Sequence, residues 1–437
     1  MARVLRLGAR GRATLDGMKR SALAGVAAGM CALAACSSDD AIPPRDGGMI
    51  EGGADASILD GAIGDGGTAS DGARDASREA GAEGGVPNGR WVMGYYAGYE
   101  KTLYPVDAIE WSGLTHLAVA FVLPNSDGTL DETLFIDAVN GPALARALVA
   151  AAHANGKQAL ASIGGAGMHA QWVGATSAAT RPTFVANLKK LVTDYAYDGL
   201  DLDWEPVAAA DAPAVLALVT ELRAALPTAT LTMPTGYINV NSPDDLSVYP
   251  RLAPYLDQIN LMTYGMAGAY TGWKSWHSSA LHQTDHATPT SVESSVNAYL
   301  AAGVPANKLG VGAGFYGLCY TPPVSAPDQA LSGATIVADD GTMSYAHIMT
   351  TYVTAQAKKY DAAANVPYLT FASATGPQGC GFISYEDEQS IADKGAFLKS
   401  KGLGGAIVWT INQGYLASAA PGARNPLLVA LRAAVLE

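Results

Sequence analysis

Eight short apolar runs, separated by amphipathic segments over roughly 350 residues, predict an α/β fold whose parallel sheet closes into a (β/α)8 TIM barrel. Three observations carry this. The stretch from residue 89 to the C-terminus suits one barrel of ~250 residues plus insertions better than two ordinary domains. The runs are nearly continuous in Val, Ile, Leu and Ala, as strands covered on both faces are. The segments between them repeat apolar residues at helical spacing, so strand and helix alternate.

Two segments precede the barrel. Residues 1–36 read as an export signal. Met18-Lys19-Arg20 supplies a positive start, and Met18 is itself a candidate first residue. Ser21 to Ala35 is apolar and small, too short to span a bilayer as a helix. It ends in Leu33-Ala34-Ala35-Cys36, which resembles the bacterial lipobox, so Cys36 is expected to carry lipid and to hold the protein to the cell envelope, unless a plain signal is cut nearby. Residues 37–88 hold eleven acids against three arginines and no aromatic residue. Such a segment buries too little apolar surface to offset its chain entropy, so it reads as a disordered tether.

Residues 89–437 are taken as the folded barrel. Its strands are predicted at Val92–Tyr96, His116–Leu123, Gln158–Ile163, Gly199–Glu205, Thr230–Pro234, Gln258–Thr263, Leu309–Gly314 and Gly405–Thr410. Helices are predicted at Pro142–His153, Pro182–Tyr195, Pro213–Leu226, Ser291–Ala302, Asp387–Lys401 and Pro426–Leu436. Pro182 suits a first-turn position, and Asn425 is expected to cap the last helix.

The fourth strand carries the chemistry. In Gly199-Leu200-Asp201-Leu202-Asp203-Trp204-Glu205, side chains alternate between faces. Leu200, Leu202 and Trp204 point one way and can pack under helices. Asp201, Asp203 and Glu205 point the other way, ~7 Å apart along the strand. Buried like charges are costly unless protonated or hydrogen-bonded. Crowding therefore raises the proton affinity of at least one acid, as general acid catalysis requires.

From Asp198 to Glu205 the chain resembles the D-G-x-D-x-D-x-E signature of glycoside hydrolase family 18, the chitinase family, with every specified position present. Ser162-Ile163-Gly164-Gly165, ending the third strand, resembles the family's S-x-G-G signature. Met262-Thr263-Tyr264, ending the sixth, resembles its M-x-Y motif. The resemblance implies Glu205 as acid/base and Asp203 as the group that orients the substrate acetamide. Asp201 would tune Asp203, and Tyr264 would complete the acetamide clamp with Met262 beneath it. Ser162 would support the carboxylate row, with Gly164 and Gly165 letting backbone approach the sugar. Tyr95 would hydrogen-bond the row, and Trp409 would form the floor under a sugar. Two positions depart from the pattern. Gly265 stands where the family usually has Asp or Asn, and Ala166 where it often has Trp. Trp273 and Trp276, in the following loop, are candidates to supply the missing stacking.

Between the seventh and eighth strands, about residues 316–385 are too long for one crossover. They resemble the small α+β insertion of many family 18 chitinases, one wall of a deep cleft. A helix is expected at Tyr345–Tyr360 and a strand at Tyr368–Ala372. Cys319 and Cys380 lie near its ends, compatible with one disulfide or with two buried thiols.

The net charge of −13 and the absence of a basic stripe argue against nucleic acid. No H-E-x-x-H or C-x-x-C occurs, so neither metal nor cofactor is expected. No G-x-S-x-G elbow appears, and Gly312 to Gly317 only faintly echoes a dinucleotide loop. The expected function is substrate-assisted, retaining hydrolysis of β-1,4 bonds in N-acetylglucosamine polymers by a monomer that meets membrane only through its lipid. Alternatives are an endo-β-N-acetylglucosaminidase acting on N-glycans and a weakly catalytic, chitin-binding lectin-like protein.

Overall fold

A computed structural model describes residues 89–283, 285 and 288–437. The export segment, Cys36 and the acidic tether lie outside the described residues.

The barrel strands follow the predicted order, each edge shifting by a few residues at most. They are β1 (Trp91–Ala97), β2 (His116–Pro124, extended by a two-residue hairpin partner β3, Leu130–Asp131), β4 (Gln158–Ala166), β5 (Gly199–Glu205), β6 (Thr230–Gly236), β7 (Gln258–Met262) and β8 (Leu309–Gly314). After β8 come five strands of a separate sheet: β9 (Leu318–Tyr320), β10 (Ile336–Val337), β11 (Lys358–Asp361), β12 (Val366–Thr375) and β13 (Cys380–Ser384). The last barrel strand is β14 (Gly405–Trp409), which pairs with β8 on one side and β1 on the other. Because β1 also pairs with β2, the parallel sheet closes on itself.

Alternation splits the core in two. Leu200, Leu202 and Trp204 join the large cluster between strands and helices. Trp91, Met93, Tyr95, Ala118, Leu160, Ile407 and Trp409 form a second cluster inside the barrel. The acids of β5 share this inner face. On β4 their register partners are Ser162, Gly164 and Ala166, and Asp201 pairs with Thr232 on β6. β4 is longer than predicted, because Gly164 and Gly165 stay in register with Asp203 and Trp204.

The helices keep their predicted cores. Ser291 and Asp387 cap Val292–Ala301 and Glu388–Ser400 with their side chains, and Pro182 lies in the first turn of Arg181–Tyr195. Asn425 precedes Pro426–Leu431 but makes no cap, because its Oδ1 accepts from Tyr104 Oη at 2.6 Å.

The stretch between β8 and β14 folds as a five-stranded antiparallel sheet in the order β10-β9-β13-β12-β11. The helix expected at Tyr345–Tyr360 stops at Thr351, and Lys358–Asp361 is a strand. The β-branched run Thr350-Thr351, Val353-Thr354 disfavours helix and breaks the pattern. The expected strand is longer, Val366–Thr375. Cys319 and Cys380 are fully buried and bonded to each other, tying β9 to β13. Gly312 and Gly314 belong to β8, so no dinucleotide loop forms there.

Candidate active site

The site is built on β5, and its three acids meet three different surroundings. Asp201 is fully buried. Its Oδ2 accepts from Tyr95 Oη at 2.9 Å and from Ser162 Oγ at 2.8 Å, and its Oδ1 accepts from Thr232 Oγ1 at 2.5 Å. Burial raises its proton affinity, and these three donors pull it back down.

Asp203 is nearly as buried, yet its Oδ1 has no protein partner. Burial, then the charges of Glu205 and Asp201, push its carboxyl well above the usual range. Glu205 is half-buried at the strand end and is also raised, first by burial. The two carboxyls hydrogen-bond each other. A hydrogen bond between two carboxyls forms when one of them is protonated, which the raised proton affinity of both favours.

Aromatic rings wall the row. Trp409 ends β14, and its ring stacks on Phe121 at 5.5 Å and tilts toward Tyr95 at 5.7 Å. Its Nε1 donates to Asp340 Oδ2 at 2.5 Å, a residue of the insertion. Tyr264 follows β7 and joins the inner cluster, with Met262 packed against it from the partly buried side. Burial first, then Tyr316 and the three acids, hold the Tyr264 phenol well above its usual range. It therefore stays protonated and able to donate.

Tyr95, Ser162, Asp201, Asp203, Glu205, Met262, Tyr264 and Trp409 thus come to one end of the barrel interior. Other expectations need correction. A Cβ at Gly164 would lie 2.4 Å from the Asp203 carbonyl and 2.5 Å from Trp172 Nε1. Protein packing at a φ of +104° is by itself enough to require glycine there. Trp276 is 1% exposed, packs with Leu318, Tyr320 and Phe382 at the insertion's base, and donates to the Thr290 carbonyl. It has no free face for a ligand. Trp273 is half-exposed and stands edge-on to Tyr270 at 4.7 Å.

Gly265 adopts a φ of +62°, and a Cβ there would meet Tyr316 Oη at 2.9 Å. The phenol occupies the space a side chain would use. Ala166 pairs in register with Glu205 at the end of β4.

Several residues of the site escaped sequence reasoning. Trp172 stacks on Trp204 at 5.1 Å and donates to the Asp203 carbonyl at 3.2 Å, fixing β5 from behind. Thr232 lies on a strand the pattern did identify, at a position equivalent across the sheet to Asp201. Phe121 and Asp340 had no local signal, because only closure of the barrel brings them to Trp409. Among the described residues, no cluster of His, Cys, Asp and Glu could hold a metal ion.

Fold and site together are a parallel barrel with acids of raised proton affinity at the end of one strand, walled by aromatic rings. The chain belongs to glycosyl hydrolases family 18, whose model matches residues 91–414. It is similar to a probable endochitinase of Caenorhabditis elegans, 30% identical over 259 residues, which is 54% of this chain and 40% of that protein. A chitinase-like effector of Moniliophthora perniciosa is 27% identical, over 73% of this chain and 82% of the effector. The chain covers between 38% and 56% of the length of the first three curated relatives it matches. Among solved structures, a group IV chitinase of Ostrinia furnacalis in complex with allosamidin shares the fold. The TM-score is 0.66 at 23% identity, over 79% of this chain and 98% of that one.

Proposed function

We propose that the protein hydrolyses β-1,4 bonds between N-acetylglucosamine units of chitin with retention, using the substrate's own acetamide as nucleophile. One observation carries the reading: Asp203 and Glu205, two apart on one strand, share a hydrogen bond, and burial raises both. Side chains that project together from one backbone are poorly placed to flank an anomeric carbon, as a protein nucleophile must. They are well placed to act on one substrate from one side.

In this reading Glu205 gives its proton to the glycosidic oxygen as the C1–O bond breaks. The acetamide carbonyl oxygen closes on C1. Asp203 hydrogen-bonds the acetamide nitrogen and stabilises the resulting oxazolinium, and Tyr264 grips the acetamide. Water then opens the ring, giving a proton back to Glu205. Asp201, satisfied by three donors, supports Asp203. Trp409 receives the apolar face of the pyranose.

Turnover of a fluorogenic chitobioside is the test. Glu205→Gln keeps oligosaccharide binding and loses ~10²–10⁴-fold in kcat, because only the transferable proton is removed. Undiminished kcat would remove Glu205 from the role. Substrates without the 2-acetamido group should be almost inert, and the first product should be the β-anomer. A first product in the α form, or a covalent glycosyl adduct on Asp203, overturns the mechanism. Preferential release from a high-mannose glycoprotein would reassign the substrate to N-glycans. Binding without any turnover would make the protein a lectin.

The cellular setting is part of the proposal. Leu33-Ala34-Ala35-Cys36 followed by an acidic tether supports export with a lipid on Cys36. The protein should partition with membranes, and Cys36→Ser should abolish this.

A further inference from the structure

A second acidic cluster lies behind Trp409 and plays no part in the reaction described above. Glu100 follows β1 in the turn Gly98–Glu100 and is 8% exposed. Its Oε2 accepts from Thr410 Oγ1 at 2.9 Å and its Oε1 from Gln413 Nε2 at 2.8 Å. Thr410 and Gln413 immediately follow the tryptophan strand. Gln413 also hydrogen-bonds Asp340, and Asp340 is the acceptor for Trp409 Nε1. A continuous chain therefore runs from Glu100 through Gln413 and Asp340 to the indole.

The chain joins three elements: the β1 turn, the β14 turn and the insertion. It also brings two buried carboxyls together. The two N–H groups of the Gln413 amide serve one acid each, and its Oε1 is buried with no partner. The neighbours that act on the Glu100 carboxyl include no cation to offset the pair, so a proton on one acid relieves the repulsion between them.

We propose that Glu100 is a positioning residue, whose neutral form lets Asp340 of the insertion close on Trp409 and so sets the indole face offered to the sugar. This rests on Trp409 being the sugar floor. The charges acting most on Glu100 are the carboxylates of Asp340 and Asp339 from the insertion; from its own side it faces the phenols of Tyr96 and Tyr99, and from the β14 turn only the neutral donors Thr410 and Gln413. Burial first, then these acids against the two hydrogen bonds, push Glu100 up to about 7. Asp340 is raised too, mainly by burial. Ionisation of Glu100 places a second negative charge beside Asp340 in a buried site, which repels the insertion loop and releases the indole.

Two readouts test this, one with substrate and one without. In the free protein, tryptophan fluorescence should titrate with a midpoint near the Glu100 value of about 7. The transition should be absent from Glu100→Gln and from Trp409→Phe. With an N-acetylglucosamine oligomer, the KM of the wild type should rise on the order of tenfold between about pH 6 and pH 8. Glu100→Gln should hold the low value throughout, because it removes the charge and keeps an oxygen that accepts from Gln413 Nε2. Should Glu100→Gln fail to fold, Asp340→Asn removes the opposing charge and should flatten the same KM profile. Coincident KM profiles and coincident fluorescence titrations for wild type and variant overturn the proposal. If the wild type turns over no oligomer while the fluorescence transition persists, the function reading fails and the clasp stands.

Discussion

Asp201 and Asp203 are the same residue type, two positions apart on one strand, in equally dry surroundings. Their difference is what donates to them. Three hydroxyls converge on Asp201, whereas Asp203 has an oxygen without a partner and a second acid within reach. Removing one donor should therefore show on Asp201 first. Tyr95→Phe should cost about 1 kcal/mol in transition-state stabilisation, read as a several-fold fall in kcat, with KM nearly unchanged. Tyr264→Phe should weaken binding of a thiazoline mimic of the oxazoline by ~1–3 kcal/mol in an inhibition assay, the usual penalty for a buried hydrogen bond left unmade. Gly164→Ala places a methyl 2.4 Å from the Asp203 carbonyl at a positive φ. It should lower the unfolding free energy by about 1–3 kcal/mol in a denaturant titration. A wild-type-like midpoint would mean that β4 can shift to admit the methyl.

At the scale of elements, the insertion is a small sheet with two ties, one within it and one to the loop that follows β7. The disulfide ties β9 to β13 across a sequence separation of 61 residues. Closing so long a loop removes unfolded-chain entropy worth about 4 kcal/mol. Replacing both cysteines by serine should lower stability by up to this amount. The loss should appear first as faster amide exchange in β9 to β13, with the barrel strands still protected. Uniform loss of protection across the barrel would show that the two parts unfold together. The second tie is the buried packing of Trp276 against Leu318, Tyr320 and Phe382. It explains why a tryptophan in a loop of uncertain purpose turns out to be structural.

For the whole molecule, pH is the variable that reaches most of these groups at once. Asp201, Asp203, Glu205, Glu100 and Asp340 are all raised, with burial as the leading cause. An acid with a raised pKa binds its proton more tightly folded than unfolded. Between the two values the folded state holds the extra proton, so stability falls as pH rises through that window. For Glu100 the window runs from 4.5 to about 7, and the loss beyond it is on the order of 3 kcal/mol. The melting temperature should therefore drop from about pH 5 to about pH 8, and Glu100→Gln should reduce the slope. A flat or rising profile would show that these acids ionise in the folded state as freely as in the unfolded one.

Alternation along Gly199–Glu205 was enough to separate the apolar and acidic faces of β5, and apolar runs were enough to place eight barrel strands within a few residues. Both are local properties with a period of two, so a linear reading captures them. The motif residues Ser162, Tyr264 and Trp409 were legible for the same reason: each lies in or just after a recognisable strand, and parallel closure turns such positions toward one interior. What escaped was everything that depends on which chains meet. Thr232, Trp172, Phe121, Asp340 and Glu100 carry no pattern of their own. Asn425 looked like a cap until Tyr104 took its oxygen. Sequence by itself determined the strands, their faces and the row of acids. Tertiary structure decided how the row is hydrogen-bonded and what holds the tryptophan, because those depend on distances of a few ångströms between residues far apart in the chain.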